Sequence, residues 1–407
     1  MTIKQTIAIC LWAAGLVPAT GVALAAGQYG PGVSDVEIKI GNTMPYSGPA
    51  SALGAIGKAE AAYFAMINDQ GGINGRKITF ISRDDGYNPQ KTAEVVRELV
   101  EQDHVLLQFG NLGTAPNTAI RTYLNENKVP QLFIATGTSK FNDPKNYPWT
   151  MPWDPSYQTE ARIYARYMLK NLPDAKIAAL YQDDDFGKDY YTGLREGLGN
   201  RADKMIVATQ SYEITDANVD SQIVALHESG ADVLLTGAIP QFAAKAIGKV
   251  YNIGWKRINL FLNSLSRSVA TMQTSRPENG IHIISAFYQK NSTDPQWHDT
   301  PEYMTWLAWM KKYNSSGDVA DSNNVYGYSV AQTMVAVLKA SGDNLTRDNV
   351  MKQAASLHGL ALPMLLPGIM ISTSADDFAP IQQMQLMKFD GTNWKVIGDV
   401  MSAEEGN

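Results

Sequence analysis

A single cysteine, Cys10, occurs in 407 residues, and it falls in an N-terminal segment read below as cleaved. A thiol-free mature chain excludes a disulfide framework, a cysteine-ligated metal centre and cysteine-based catalysis. Histidine is also scarce. The five present (His104, His227, His282, His298 and His358) stand apart, with no pair at the i, i+4 spacing of a helical zinc site. Each is therefore read as a surface or core residue. No G-x-S-x-G elbow, Walker loop or G-x-G-x-x-G fingerprint is present. Gly54-Ala55-Ile56-Gly57-Lys58 resembles a phosphate loop only in part, because Ala52 and Ala59 stand where a glycine and a hydroxyl residue are needed. An excess of positive charge is missing too: 34 Lys and Arg face 40 Asp and Glu, for a net charge of −6. That balance gives no support to nucleic-acid binding, which would call for a basic, clustered face, and no cationic amphipathic stretch suits a membrane surface. No tandem repeat or low-complexity block is visible.

Long apolar runs are absent as well. Ile7 to Val17 is the most apolar stretch, well short of the roughly 20 residues that span a bilayer. Preceded by Lys4 and followed by Ala23-Leu24-Ala25, it reads as a secretory signal peptide over residues 1–25, with the mature chain starting at Ala26. Ile9, before Cys10, is too bulky for a lipid-attachment site. Lys4 is the only charged residue removed, so the mature charge is −7. An exported protein, periplasmic in location, is expected.

About 380 residues remain, with 44% hydrophobic and 18% charged residues in the whole chain, the balance of an ordinary globular protein of two or three domains. Strand and helix patterns alternate, as a parallel α/β sheet requires. The stretch Ile40 to Ile81 shows the unit most clearly: a strand ends in Pro45-Tyr46-Ser47-Gly48-Pro49, a helix runs from Ala55 to Asn68, and Gly71-Gly72 stop it before strand Lys77 to Ser82. The Pro45–Gly54 loop thus falls at the carboxyl end of a parallel strand, where open α/β sheets bind small molecules. Further units follow to strand Gln131 to Ile134. The proline- and tryptophan-rich segment Asn142 to Pro155 then interrupts the pattern. A second series begins with helix Tyr157 to Asn171, strand Lys176 to Tyr181, helix Lys188 to Leu198 and strand Lys204 to Gln210. Two series imply two lobes. Asp183-Asp184-Asp185 reads as the cap of the next helix rather than a cation site. Asp390-Gly391 between Gln383–Phe389 and Trp394–Val400 predicts a hairpin.

Ser47-Gly48-Pro49-Ala50, the run Ile67 to Ile78, Asp84-Asp85, Gly110 to Ala115, Lys128-Val129-Pro130, Asp183 to Gly187 and Leu366-Pro367-Gly368-Ile369 together resemble the bacterial periplasmic solute-binding proteins of the branched-chain amino acid transporter family, which are leucine/isoleucine/valine-binding. The resemblance covers nearly the whole mature chain. It implies an α/β fold of two Rossmann-like lobes with three crossovers, the type I periplasmic binding fold. The expected lobes are 34–155 plus 287–365 and 156–286 plus 366–402, with the ligand in the cleft between them. It also implies a monomer without cofactor, catalytic residue or metal, delivering a small molecule to an ABC permease in the inner membrane.

Carried onto this chain, the family's carboxylate site falls on Leu112-Gly113-Thr114 and Gly137-Thr138-Ser139, where hydroxyls and backbone amides can hold an anion. Thr114 and Ser139 are equally suited to capping the helices that follow. Where amino-acid binders of the family hold the ligand's ammonium, this chain has Tyr157, Ile239 and Leu265, none of them acidic. An ammonium buried without a carboxylate is costly, so a small carboxylate with an aromatic or hydrophobic body is expected. Tyr157, Ile239, Leu265, Tyr288 and Leu53 would wall its pocket, with Trp153 as a candidate and Asn263, Ser264 or Ser266 as nearby polar contacts. A branched-chain amino acid binder and a ligand-sensing module are the alternatives. An amide or ester hydrolase on the same fold is weaker, because no nucleophile–base pair can be assembled. A sensor would need a signalling segment, and none is read before Asn407.

Overall fold

The computed structural model describes residues 27–256, 258–272 and 282–402; the expected signal peptide lies outside them. The strands are β1 Gln28–Tyr29, β2 Glu37–Met44, β3 Lys77–Asp84, β4 Leu107–Phe109, β5 Gln131–Ile134, β6 Thr150–Pro152, β7 Ile177–Gln182, β8 Ile206–Tyr212, β9 Val233–Gly237, β10 Asn259–Leu262, β11 His282–Phe287, β12 Asn344–Leu345, β13 Gln383–Phe389 and β14 Trp394–Ser402. They form two sheets and one short pair. The first sheet is parallel, ordered β3-β2-β4-β5-β6. The second is ordered β14-β13-β11-β10-β9-β7-β8, parallel from β8 to β11 and antiparallel at β13 and β14. β1 pairs with β12.

Each sheet reverses its strand order once, between β2 and β4 in the first and between β7 and β9 in the second. At such a point the loops that follow neighbouring strands turn to opposite faces and leave a crevice. The central strands β7, β9 and β10 are almost wholly buried and read as continuous apolar runs, as parallel strands covered on both faces must.

The chain passes between the two sheets three times. It leaves β6 for helix Tyr157–Asn171 of the second, and leaves β11 for helices Pro301–Tyr313 and Ser322–Ser341, which pack on helix Ala55–Asp69 of the first. It then returns to β13. Tyr63 meets the Tyr328 ring edge-on at 5.0 Å and Trp309 at 6.4 Å across this packing. On the second sheet, helix Asp185–Leu198 lies close against helix Tyr157–Asn171, and a Cβ on Gly193 would stand 2.5 Å from Gln158 Cα. Only glycine allows that approach.

Two of the expected boundaries that differ have a visible local cause. Helix Asp185–Leu198 starts three residues before Lys188, because Asp184 caps it by accepting from the Gly187 amide at 3.2 Å. Residues 202–205 are a helical turn ending in buried Met205, and the strand starts only at Ile206. The hairpin forms as expected. Asp390 Oδ1 accepts from the amides of Thr392 and Asn393 at 2.9 and 2.8 Å.

Candidate functional site

The loops at both switch points face each other across the junction of the two sheets, and two adjoining chambers lie between them. The first is walled from the first sheet's side by Leu53, Leu112, Gly113 and Thr114 and from the second's by Phe186 and Leu265. The second adds Ser264, Arg267, Tyr288 and Gln289. Ile56, Asp154, Tyr157, Leu265 and Tyr326 belong to both walls. Apolar and aromatic surface with a few convergent polar groups is the usual make-up of a small-molecule site.

The polar groups differ in how far they are already engaged. Thr114 begins helix Thr114–Glu126, and its hydroxyl lies 2.7 Å from those of Thr136 and Thr138, which are 3.1 Å from each other. The three hydroxyls satisfy one another. Gly113 (φ +101°) carries the Tyr87 ring so closely that a Cβ there would meet Tyr87 Cε2 at 2.5 Å. Tyr87 itself is left-handed (φ 61°), an uncommon conformation for a bulky residue, and its amide donates to Asp85 Oδ1 at 2.9 Å. Burial pushes its phenol well up, opposed by hydrogen bonds from Gln182 and the Thr114 amide. Tyr87 therefore covers the Leu112-Gly113-Thr114 cradle.

Ser139 is also engaged. Its amide and hydroxyl donate to the two carboxylate oxygens of Asp189, on the second sheet's helix, both at 2.8 Å, and Gln158 Nε2 donates to Asp189 Oδ1 at 2.7 Å. Lys140 pairs with Asp185 beside it. Gly137, Thr138 and Ser139 line a separate polar recess with Asp154, Gln158 and Arg162. Among the residues singled out from sequence, Leu53, Leu112, Gly113, Thr114, Tyr157, Leu265 and Tyr288 thus line the two chambers, while Gly137, Thr138 and Ser139 line that recess. Ile239 is in neither chamber wall: it is buried before helix Pro240–Asn252, and its amide donates to the Tyr212 hydroxyl at 3.2 Å. Trp153 is core, its Nε1 donating to Thr333 Oγ1 at 3.0 Å and its ring edge-on to Tyr326 and Tyr288. Ser264 is in the wall, and Glu160 holds it by accepting from its amide and hydroxyl at 2.7 Å each.

Asp154, Arg267, Tyr326 and Ile56 were not singled out from sequence. Asp154 accepts from the Tyr288 and Tyr326 hydroxyls at 2.8 and 3.2 Å. Burial raises its pKa to about 7, against those hydrogen bonds and the charge of Arg267. The sequence argument sought an acid at Tyr157, Ile239 and Leu265, whereas Asp154 lies three residues before the first of these. Its setting in Trp153-Asp154-Pro155, directly after β6, is the one local signal that pointed to it.

A profile of the periplasmic binding protein family matches residues 37–393. The chain belongs to that family. Among curated proteins it is similar to Leu/Ile/Val-binding protein homolog 1 of Brucella suis, 23% identical over 331 residues that make up 80% of this chain and 84% of that protein. Among solved structures it shares the fold of a fatty acid ABC transporter substrate-binding protein from Thermomonospora curvata (TM-score 0.78, 22% identity, 93% of this chain and 95% of that one). It shares it also with a branched-chain amino acid ABC transporter protein from Thermus thermophilus with bound valine (TM-score 0.80, 15% identity, 91% and 97%). In this type I periplasmic binding fold the two chambers occupy the interlobe cleft.

Proposed function

We propose that this periplasmic binding protein captures a small organic carboxylate with an aromatic or hydrophobic body outside the cytoplasm and delivers it to an ABC importer. The observation that carries this reading is the chamber wall itself. Leu53, Ile56, Leu112, Tyr157, Phe186 and Leu265 converge from both lobes on the first chamber, and burying a single such side chain's worth of ligand surface contributes about 2 kcal/mol. The lobes would part and close about the three crossings, with ligand favouring the closed form by its greater affinity for it.

A second reading, a hydrophobic amino acid, is favoured by Asp154, a carboxylate in both chamber walls that an ammonium could meet. Its two oxygens already accept from phenols, and its raised pKa keeps it partly neutral near pH 7. For this reason the simple acid is preferred. A thermal-shift panel separates the two, because a ligand of the folded state raises stability by RT ln(1 + [L]/Kd). Benzoate- and cinnamate-like acids are expected to raise Tm more than leucine or valine; the reverse order would replace the first reading by the second.

A further inference from the structure

Arg267 is a buried cation with no direct ion pair among the described residues; the carboxyls that feel its charge are Asp154 and Asp321. It is 9% exposed and sits in the wall of the second interlobe chamber. Its Nη1 donates to the Ser264 carbonyl at 2.5 Å and its Nη2 to Gln289 Oε1 at 3.2 Å, both neutral acceptors. Its Nε has no hydrogen-bond partner among the described residues. The guanidinium lies 4.7 Å from the Phe287 ring centroid and 5.9 Å from that of Tyr288, which fixes its plane without neutralising it. A charge taken out of water in this way is costly unless it is paired and its donors are used.

The anion-binding groups expected from the family resemblance are meanwhile engaged. Asp189 takes the amide and hydroxyl of Ser139, Tyr87 lies over Gly113, and the Thr114 hydroxyl closes on Thr136 and Thr138. Among the described residues that line the two chambers, Arg267 is the one cationic side chain, and its buried Nε is left without a hydrogen-bond partner.

We propose that Arg267 is the residue that receives the ligand's carboxylate, so that the acid group lies on the second lobe and the apolar body points toward Ile56, Tyr157 and Leu265. This deepens the carboxylate reading above and rests on it. A guanidinium suits the task because its N–H groups lie in one plane and match the two oxygens of a carboxylate. No carboxylate forms an ion pair with Arg267 among the described residues, although its charge reaches Asp154 and Asp321. One charge-assisted hydrogen bond in such a site corresponds to roughly 10- to 100-fold in affinity.

The experiment is calorimetric titration of wild-type protein and Arg267→Gln with 4-bromobenzoate and with its primary amide, which has the same shape without the charge. Wild type is expected to prefer the acid about 10- to 100-fold, and Arg267→Gln to lose that preference. An acid preference retained in Arg267→Gln overturns the assignment and leaves the carboxylate reading standing. A wild-type protein that binds neither benzoate nor other carboxylates overturns that reading, and the assignment with it. If Arg267→Gln does not fold, a crystal of wild type with 4-bromobenzoate decides: bromine located by anomalous scattering fixes the ligand's direction, and the assignment requires the carboxylate on Arg267, whereas a carboxylate on Thr114 or Ser139 refutes it.

Discussion

Asp189→Asn probes one of the contacts that cross between the two lobes, beside Lys140–Asp185 and Gln158–Ser139. Asp189 is 7% exposed and takes three hydrogen bonds. The Gln158 bond lies within the second lobe and persists when the lobes part, so it drops out of the comparison between open and closed forms. The two from Ser139, both at 2.8 Å, cross the cleft. Hydrogen bonds to a charged group contribute about 1.5–3 kcal/mol each, and asparagine keeps one weaker acceptor while turning a donor toward the second N–H or O–H. A loss of about 2–3 kcal/mol in the closed form is expected, without a change of shape. Closure is linked to ligand binding, so apparent Kd should weaken roughly 30- to 150-fold. Calorimetry with the preferred ligand gives Kd, and small-angle scattering of the unliganded protein should show a larger radius of gyration in the variant. Ser139→Ala should lose about half as much, and the double variant little more than Asp189→Asn alone. A Kd within about threefold of wild type, with scattering unchanged, would refute the latch.

Asp154 titrates at about 7 in the folded protein against 3.8 for a free aspartate, so the folded state holds its proton to higher pH than the unfolded state. It binds more protons between about pH 4 and pH 7, and stability falls as pH rises through that window. Relative to Asp154→Asn, urea unfolding of wild type should lose up to about 3 kcal/mol from pH 4.5 to pH 7.5; parallel curves would show that the carboxyl is not held neutral. Glu60 is fully buried, both its oxygens lack a partner among the described residues, and burial raises its pKa well above the ordinary value. Glu60→Gln should therefore stabilise the protein more at pH 8 than at pH 5 in the same assay, and a loss at pH 8 would mean that the acid is satisfied by bound water. Gly193→Val forces a side chain between helices whose backbones nearly touch, with an expected cost of about 3 kcal/mol by denaturant unfolding; a change under about 0.5 kcal/mol would mean that the helices separate easily.

Local patterns carried the architecture. Alternating strands and helices with glycine stops placed the Pro45–Gly54 loop at the end of β2, where Leu53 enters the chamber, and Asp390-Gly391 fixed the hairpin of β13 and β14 through contacts no more than three residues apart. The site depended on partners far apart in the chain. Asp154 is held by hydroxyls 134 and 172 residues away, and Ser139 meets a carboxylate 50 residues on. No spacing rule links such pairs. Arg267 was overlooked for a related reason: a lone arginine in a serine-rich loop has the pattern of a solvated surface residue. Only the tertiary fold shows that its charge is buried and hydrogen-bonded to neutral acceptors. The Gly71-to-Ile78 run, prominent in the sequence, is a structural turn in which Asn68 clasps the Ile78 backbone through both amide atoms, at 2.7 and 2.8 Å.

Titration calorimetry of the wild-type protein with a cinnamate-like acid at several temperatures tests the central claim most directly, because apolar ligand surface buried between closing lobes leaves a negative heat-capacity change. The account predicts saturable one-to-one binding with that sign, and weaker or no heat from leucine and valine. Saturable binding of leucine or valine with none from any aromatic or hydrophobic acid would contradict it.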